Sequence, residues 1–393
     1  MKIERIRLKN FKTFQDVTLE NIPAFCVVIG ANGTGKSTLF DVFGFLKDCL
    51  TYNVTTALQT QGGFNEVISR EAEERTILIE LTLRTPIAGE ERLVIYHVEI
   101  VLEGSKVVVA QEGLYYRSTA SQRAVRVPLL EFKRGNGYAM SYGADSWDTI
   151  RESQKLDKAD ILALKGLGQF QRFEAANKLR QLIENWHISD LNIQAALGSK
   201  GMPGYADHLS VTGDNLPLVA HRLYTEHPDI FQKIVAQMQR RVPGIGQIEP
   251  EQTIDGRLLL KFKEGAFKDP FLDRFISDGT LKMFAYLTLL YDPEPHPLLC
   301  VEEPENQLYP KLLWELAEEF RAYAWRGGQV FVSTHSPEFL NAVQVDEVFW
   351  LKKRQGYTEV CRASDDSQVV AYMKDGDQMG YLWEHGFFKE VDP

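Results

Sequence analysis

Gly30-Ala31-Asn32-Gly33-Thr34-Gly35-Lys36-Ser37-Thr38 is the stretch on which the reading of this chain turns. It satisfies G-x-x-x-x-G-K-[ST], and both of its flanks fit. Upstream, Phe25 to Ile29 is a short, β-rich, unbroken apolar run, the pattern of a strand covered on both faces of a sheet. Downstream, Ser37 to Leu50 carries Leu39, Phe40, Phe43 and Leu46 at helical spacing. Strand, glycine loop and helix in that order make a cradle for phosphates. The glycines let the backbone close round the phosphate chain, and loop N–H groups with the start of the helix supply donors. Lys36 adds charge at the β and γ phosphates, and Ser37 offers a hydroxyl to magnesium; Asn32, Gly33, Thr34, Gly35 and Thr38 complete the predicted binding set. The expected ligands are a nucleotide carrying β and γ phosphates and Mg2+. A glycine-rich connector with a chance lysine is the plainer alternative, and the flanking strand and helix argue against it.

Three further passages carry chemistry. Leu298-Leu299-Cys300-Val301-Glu302-Glu303-Pro304-Glu305 is an apolar strand ending in paired acids, at the sheet edge where α/β proteins place ligands. Glu302 there is suited to hold hydrated magnesium and Glu303 to polarise the attacking water as general base. Acidic turns are common, so the pair gains its meaning from the cradle. Gln329 to Pro337 is another strand-to-loop passage, and it delivers His335 just past the strand end as a second catalytic candidate beside the γ phosphate. In Phe275 to Thr280, Ser277, Asp278 and Gly279 precede a helix. They read equally as an N-cap or as an anion grip, and the residues alone leave both open.

The order of these four motifs resembles the ATP-binding-cassette ATPases, within them the soluble branch that includes RecF, the heads of structural-maintenance-of-chromosomes (SMC) proteins and the overcoming-lysogenization-defect nucleases. The likeness covers about residues 1 to 85 and 255 to 385. It implies an α/β fold of P-loop NTPase type: an ATPase head with a mixed sheet, an antiparallel β lobe and a helical insertion. It also implies a magnesium-dependent ATP hydrolase that dimerises around ATP, or assembles further, with Ser277 and Gly279 contacting nucleotide bound to a second copy. Asn10-Phe11-Lys12-Thr13-Phe14 looks like the opening motif of this branch, which puts Lys12 near the nucleotide. His335 takes the switch-histidine position, and Asn306 to Tyr309 that of the loop crossing the dimer interface. Gln61, before Gly62-Gly63, is the candidate glutamine ligand to the metal together with Ser37 and Glu302. Glu302 stands where the family commonly has Asp, and Tyr309 where relatives often carry His. The likeness leaves two roles: DNA maintenance or antiviral defence, or a slow-hydrolysing scaffold that controls a partner nuclease or toxin.

Composition bounds the rest. The chain has 393 residues, 44% hydrophobic and 25% charged, the balance of an ordinary globular protein. Its net charge of -10 restricts any DNA contact to a local patch. Four scattered cysteines suggest neither a zinc site nor a disulfide framework, and neither a signal peptide nor a membrane span is expected, so a cytoplasmic location is. Alternation at Ile3, Ile6 and Leu8 begins the chain, and Arg75 to Val109 reads as two antiparallel strands turning near Pro86 to Glu90, with more β near Gly113 to Tyr116. From about Ser153 the pattern turns helical, clearest over Lys165–Trp186 and Leu218–Arg241, with a polar link from Gly198 to Asp214. The expected domains are therefore an N-terminal lobe (1–150), a helical insertion or lid (151–250) and a C-terminal lobe (251–393).

Overall fold

The computed structural model describes residues 2–87, 89–118, 125–143, 146–191, 204–254, 256–265 and 267–388. It divides into two compact units, Met1–Trp186 with Gln344–Pro393, and His187–Val343. The architecture is the mixed α/β one expected of an ATPase head, with antiparallel sheets and helical additions. Its boundaries fall at 186/187 and 343/344, whereas composition suggested 150 and 250.

In the first unit, eight strands form one antiparallel sheet: β1 (Lys2–Phe11), β2 (Phe14–Glu20), β4 (Thr76–Ile87), β5 (Glu90–Glu103), β6 (Lys106–Ser118), β7 (Val125–Lys133), β8 (Asn136–Gly143) and β9 (Ser146–Lys155). Their order is β2-β1-β4-β5-β6-β7-β8-β9. Ile3, Ile6 and Leu8 of β1 are buried, and the three-residue step from Ile3 to Ile6 has a cause: the register with β4 shifts between Ile3 and Arg5. The intervening β3 (Phe25–Ile29) is buried at all five positions and pairs in parallel with Val348–Arg354, which turns back antiparallel into Tyr357–Arg362. From the end of β3 the chain passes through the glycine loop into α1 (Lys36–Thr51).

The second unit carries parallel strands His187–Ser189, Leu298–Glu302 and Gln329–Ser333, in that order. It also holds a small antiparallel sheet of Ile245–Gln252, Leu258–Glu264 and Phe271–Leu272. In the helix Asp278–Leu290, every residue from Leu281 onward is buried, as a helix apolar on all sides must be. Phe284 meets Phe231 and Phe262 edge-on, with ring centroids 6.4 and 5.8 Å away.

Two expected long helices are each broken. In place of Lys165–Trp186 stand Ala163–Leu167 and Glu174–Glu184, separated from Gly168 on, where a Cβ would lie 2.4 Å from the Leu164 carbonyl. In place of Leu218–Arg241 stand Leu216–Glu226 and Pro228–Arg241, because Pro228 has no N–H to continue the first helix. β structure runs on to Lys155, past the expected onset of helix at Ser153. The polar link begins outside the described residues; at its end Asn215 ties the turn, accepting from Ser210 N and donating to His208 O.

Two buried carboxylates hold the antiparallel sheet by opposite means. Glu80 accepts from Arg5 at 2.7 Å and sits 3.5 Å from His97; their hydrogen bonds, with His97 the larger influence, bring it down to about 2. Glu112 is 1% exposed and accepts from Tyr96 Oη and from the N–H groups of Ala163 and Leu164, so it caps the helix that starts there. Burial outweighs those bonds and raises it to about 7. Between its ordinary value of 4.5 and 7 the folded chain keeps a proton that the unfolded chain releases. The contribution is therefore complete below pH 4.5 and lost as pH rises to 7, by about 3 kcal/mol. Urea unfolding from pH 4.5 to 7.5 is expected to show this decline in the wild-type chain and not in Glu112→Gln. Parallel slopes for the two would contradict it.

Candidate nucleotide site

The glycine loop is shaped by contacts that leave no room for side chains. A Cβ on Gly30 would lie 2.6 Å from the Leu351 carbonyl and 2.5 Å from Thr34 Oγ1. Gly35 has φ +104°, and a Cβ there would meet Thr13 Oγ1 at 2.8 Å and Thr358 Oγ1 at 2.9 Å. Gly33 also turns left-handed, at φ +78°. Thr34 ties the turn by donating from its hydroxyl to Ala31 O at 2.8 Å. Lys36 is buried, its ammonium donating to Gly30 O at 2.8 Å and Ala31 O at 3.3 Å, while Asn32, Gly33 and Ser37 are exposed at the rim. Helix α1 starts from Gly35 with no side-chain cap and no acid in its first turn. Its leading N–H groups and the positive end of its dipole are thus presented without a carboxylate of their own, which suits a polyphosphate. The oxygen donors of Ser37 and Thr38 in that first turn are of the hard kind magnesium takes.

Lys12 is held by the helix that follows the glycine loop. It has φ +49°, and its ammonium pairs with Asp41 of α1 at 2.6 Å. Asn10, buried, spends its amide on Glu74 O and Thr76 O. Gln61 closes the short helix Val54–Thr60, and its Oε1 is buried with no hydrogen-bond partner among the described residues. That leaves an oxygen acceptor unused, as a metal or water ligand would be.

The second unit assembles the acidic motif. Glu302 ends the strand opposite Ser333 of the neighbouring strand. Glu303 follows with φ +42°, a left-handed conformation that costs an ordinary residue about 1 kcal/mol or more. Its N–H donates to Ser333 O at 2.9 Å, its Oε2 accepts from Asn306 at 3.1 Å, and its Oε1 stands 3.5 Å from His335 Nε2. The predicted base and the predicted histidine are therefore brought together. Glu305, to which the sequence motifs assign no role, locks the loop that carries the histidine, its Oε1 accepting from Thr334 Oγ1 at 2.8 Å and from His335 N at 2.7 Å.

Ser277 caps its helix, accepting from Thr280 N at 3.3 Å, which realises the plainer of its two readings. Gly279 shows a further constraint, since a Cβ there would lie 2.6 Å from Gln307 O. The loop after Glu303 is thus seated directly on the start of this helix. Asp278 accepts from Gln307 at 3.4 Å, and buried Lys282 donates to Asn306 O at 2.9 Å. Burial pulls the Lys282 ammonium below its usual range, against the raising influence of Glu305. No sequence motif singles out Lys282, although a lysine inside an otherwise apolar helix is a visible signal.

A family model described as "AAA ATPase domain" matches residues 1–191, and one described as "AAA domain, putative AbiEii toxin, Type IV TA system" matches residues 220–341. A chromosome partition protein Smc from Methanococcus voltae is 33% identical over 84 residues, which is 21% of this chain and 7% of that protein. The chain thus spans well under a tenth of that relative's length. Among solved structures, an SMC head bound to the C-winged helix domain of ScpA superposes with a TM-score of 0.54 at 14% identity, over 92% of this chain and 98% of that one. A head with an extended coiled coil, bound to the C-terminal domain of ScpA derived from Pyrococcus furiosus, gives 0.47 at 15% identity, over 95% and 99%. The chain is thus similar to an AAA ATPase domain over residues 1–191 and shares its fold with an SMC head. Its longest described helices have 16 residues, far short of a coiled coil. No described helix is long and apolar enough to cross a membrane.

The seat under Gly279 is open to test. Gly279→Ala forces a methyl onto the Gln307 carbonyl and is expected to lower unfolding stability by about 1–3 kcal/mol. A loss under about 0.5 kcal/mol in urea titration would mean that the loop does not rest there.

Proposed function

We propose that the chain binds ATP with magnesium at the Gly30–Thr38 loop and hydrolyses it as an ATP-dependent homodimer. The observation that carries this is the start of α1: an uncapped, acid-free helix terminus behind a left-handed glycine, with a buried lysine folded into the loop. Ser37 and Glu302, with Gln61, are the residues that would hold the metal, which supplies charge neutralisation at the phosphates. Glu303 takes the proton of the attacking water. Asn306 donates to its carboxylate and His335 stands 3.5 Å from it, contacts that favour an oriented carboxylate for the chemical step. His335 holds that carboxylate and meets the terminal phosphate. Ser277 and Gly279 of one copy complete the phosphate site of the other, so that ATP acts as a clamp, and hydrolysis reopens the pair.

A second reading has its own support, because the model matching residues 220–341 is described with a toxin–antitoxin system. In that reading the chain is a slow ATPase whose dimerisation governs a partner nuclease or toxin. A turnover rate raised severalfold by duplex DNA favours DNA maintenance; an unmoved rate favours the regulatory role.

Phosphate release and light scattering test the core claim. Lys36→Ala is expected to lose ATP binding by at least about a hundredfold. Glu303→Gln should keep binding, lower turnover about 100- to 10,000-fold and accumulate a dimer with ATP. Wild-type turnover in Glu303→Gln would remove Glu303 as the base.

A further inference from the structure

The hairpin of Val348–Arg354 and Tyr357–Arg362 lies against the glycine loop residue by residue. Leu351 and Lys353 are two apart on one strand and so face the same side, and Thr358 pairs with Lys353 across the hairpin. These three meet three different glycines. The Leu351 carbonyl and Cβ stand where a Gly30 Cβ would go, Lys353 Nζ is 4.0 Å from that position on Gly33, and Thr358 Oγ1 is 2.9 Å from it on Gly35. Glu359 pairs with Lys352 and Arg354, while Lys353 has no ion pair among the described residues.

Thr358 is the centre of this contact. It is 2% exposed, and its hydroxyl lies 2.7 Å from Thr34 O and 2.9 Å from Thr13 Oγ1. A hydroxyl has one proton to give. Thr34 O can only accept, so Thr358 donates to it and accepts from Thr13. The Thr358 N–H donates in turn to Thr13 O at 2.9 Å. Across a planar trans peptide the C=O and the following N–H point in opposite directions. Pinning the Thr34 carbonyl toward the hairpin therefore aims the Gly35 N–H away from it, toward the face on which the loop presents its donors.

We infer that Thr358 is a positioning residue of the nucleotide site: through the relay Thr13 to Thr358 to Thr34 it holds the glycine loop in its phosphate-accepting shape before any ligand arrives. This rests on the ATP-binding reading above. It adds the C-terminal hairpin to the machinery of a loop 324 residues earlier in the chain.

The test uses the full chain and variants Thr358→Val, Thr358→Ser and Thr13→Val. Calorimetric titration with ATP is expected to show about tenfold weaker binding for Thr358→Val, from loss of a buried hydrogen bond. Thr358→Ser should stay within about twofold of wild type, and Thr13→Val should fall between, because Thr358 can still donate to Thr34. Amide exchange over residues 30–38 without nucleotide should speed up in the same order, which separates loop shape from ligand binding. Thr358→Val binding and exchanging like wild type would overturn the inference, as would Thr358→Ser failing to restore both. A wild-type chain that takes no ATP would instead overturn the ATP reading, and the exchange data would still decide the role of Thr358. Where Thr358→Val does not fold, Thr13→Val decides in its place: weaker binding with faster exchange supports the relay, and wild-type behaviour in both overturns it.

Discussion

The backbone donors at the start of α1 have no acceptor supplied by their own helix. A helix terminus normally satisfies its first N–H groups with a serine, threonine or aspartate side chain, and this one is headed by a glycine at φ +104° that has none to offer. The neighbouring constraints follow from that choice. β3, buried on every residue, fixes where the loop begins; Thr13 and Thr358 fill the space a side chain on Gly35 would need; Lys36 is drawn onto the Gly30 and Ala31 carbonyls. The helix at Asp278 solves the same problem conventionally, with Ser277 as its cap, and uses its own glycine as a seat for the Gln307 backbone.

Short-range patterns are readable where local sequence and final environment agree. The strands Phe25–Ile29 and Gln329–Ser333 appear where apolar runs place them. Strands β7 to β9 are hard to read because what holds them lies far off in sequence: Pro128 interrupts one, and β8 is rich in glycine and small residues whose place is set by the strands alongside. The two broken helices mislead for the opposite reason, since apolar periodicity continues across Gly168 and Pro228 while the backbone does not.

The site divides along the same line. The roles proposed for Lys36, Glu303 and His335 are matters of residue type and spacing, and the structure places the last two 3.5 Å apart. The motif does not show that Lys12 pairs with Asp41, because that partner lies on the far side of the glycine loop in sequence and a 2.6 Å ion pair leaves no trace in the motif. Glu305 stands in plain view inside the acidic run, yet its work depends on Thr334 and the His335 backbone. A carboxylate can be recognised by its neighbours in sequence; whether it anchors a loop or meets a substrate is decided by which donors fold against it.

The second unit is one uninterrupted piece of chain, His187 to Val343, and the first unit resumes only after it. A ribosome therefore releases the glycine loop early and the hairpin that backs it some 320 residues later, roughly 15 to 60 seconds at ordinary rates of synthesis. Through that interval the nascent loop lacks the threonine that fixes its shape, while the intervening piece already has all of its own strands and helices. The loop and its backing are thus joined only once residue 358 has been made.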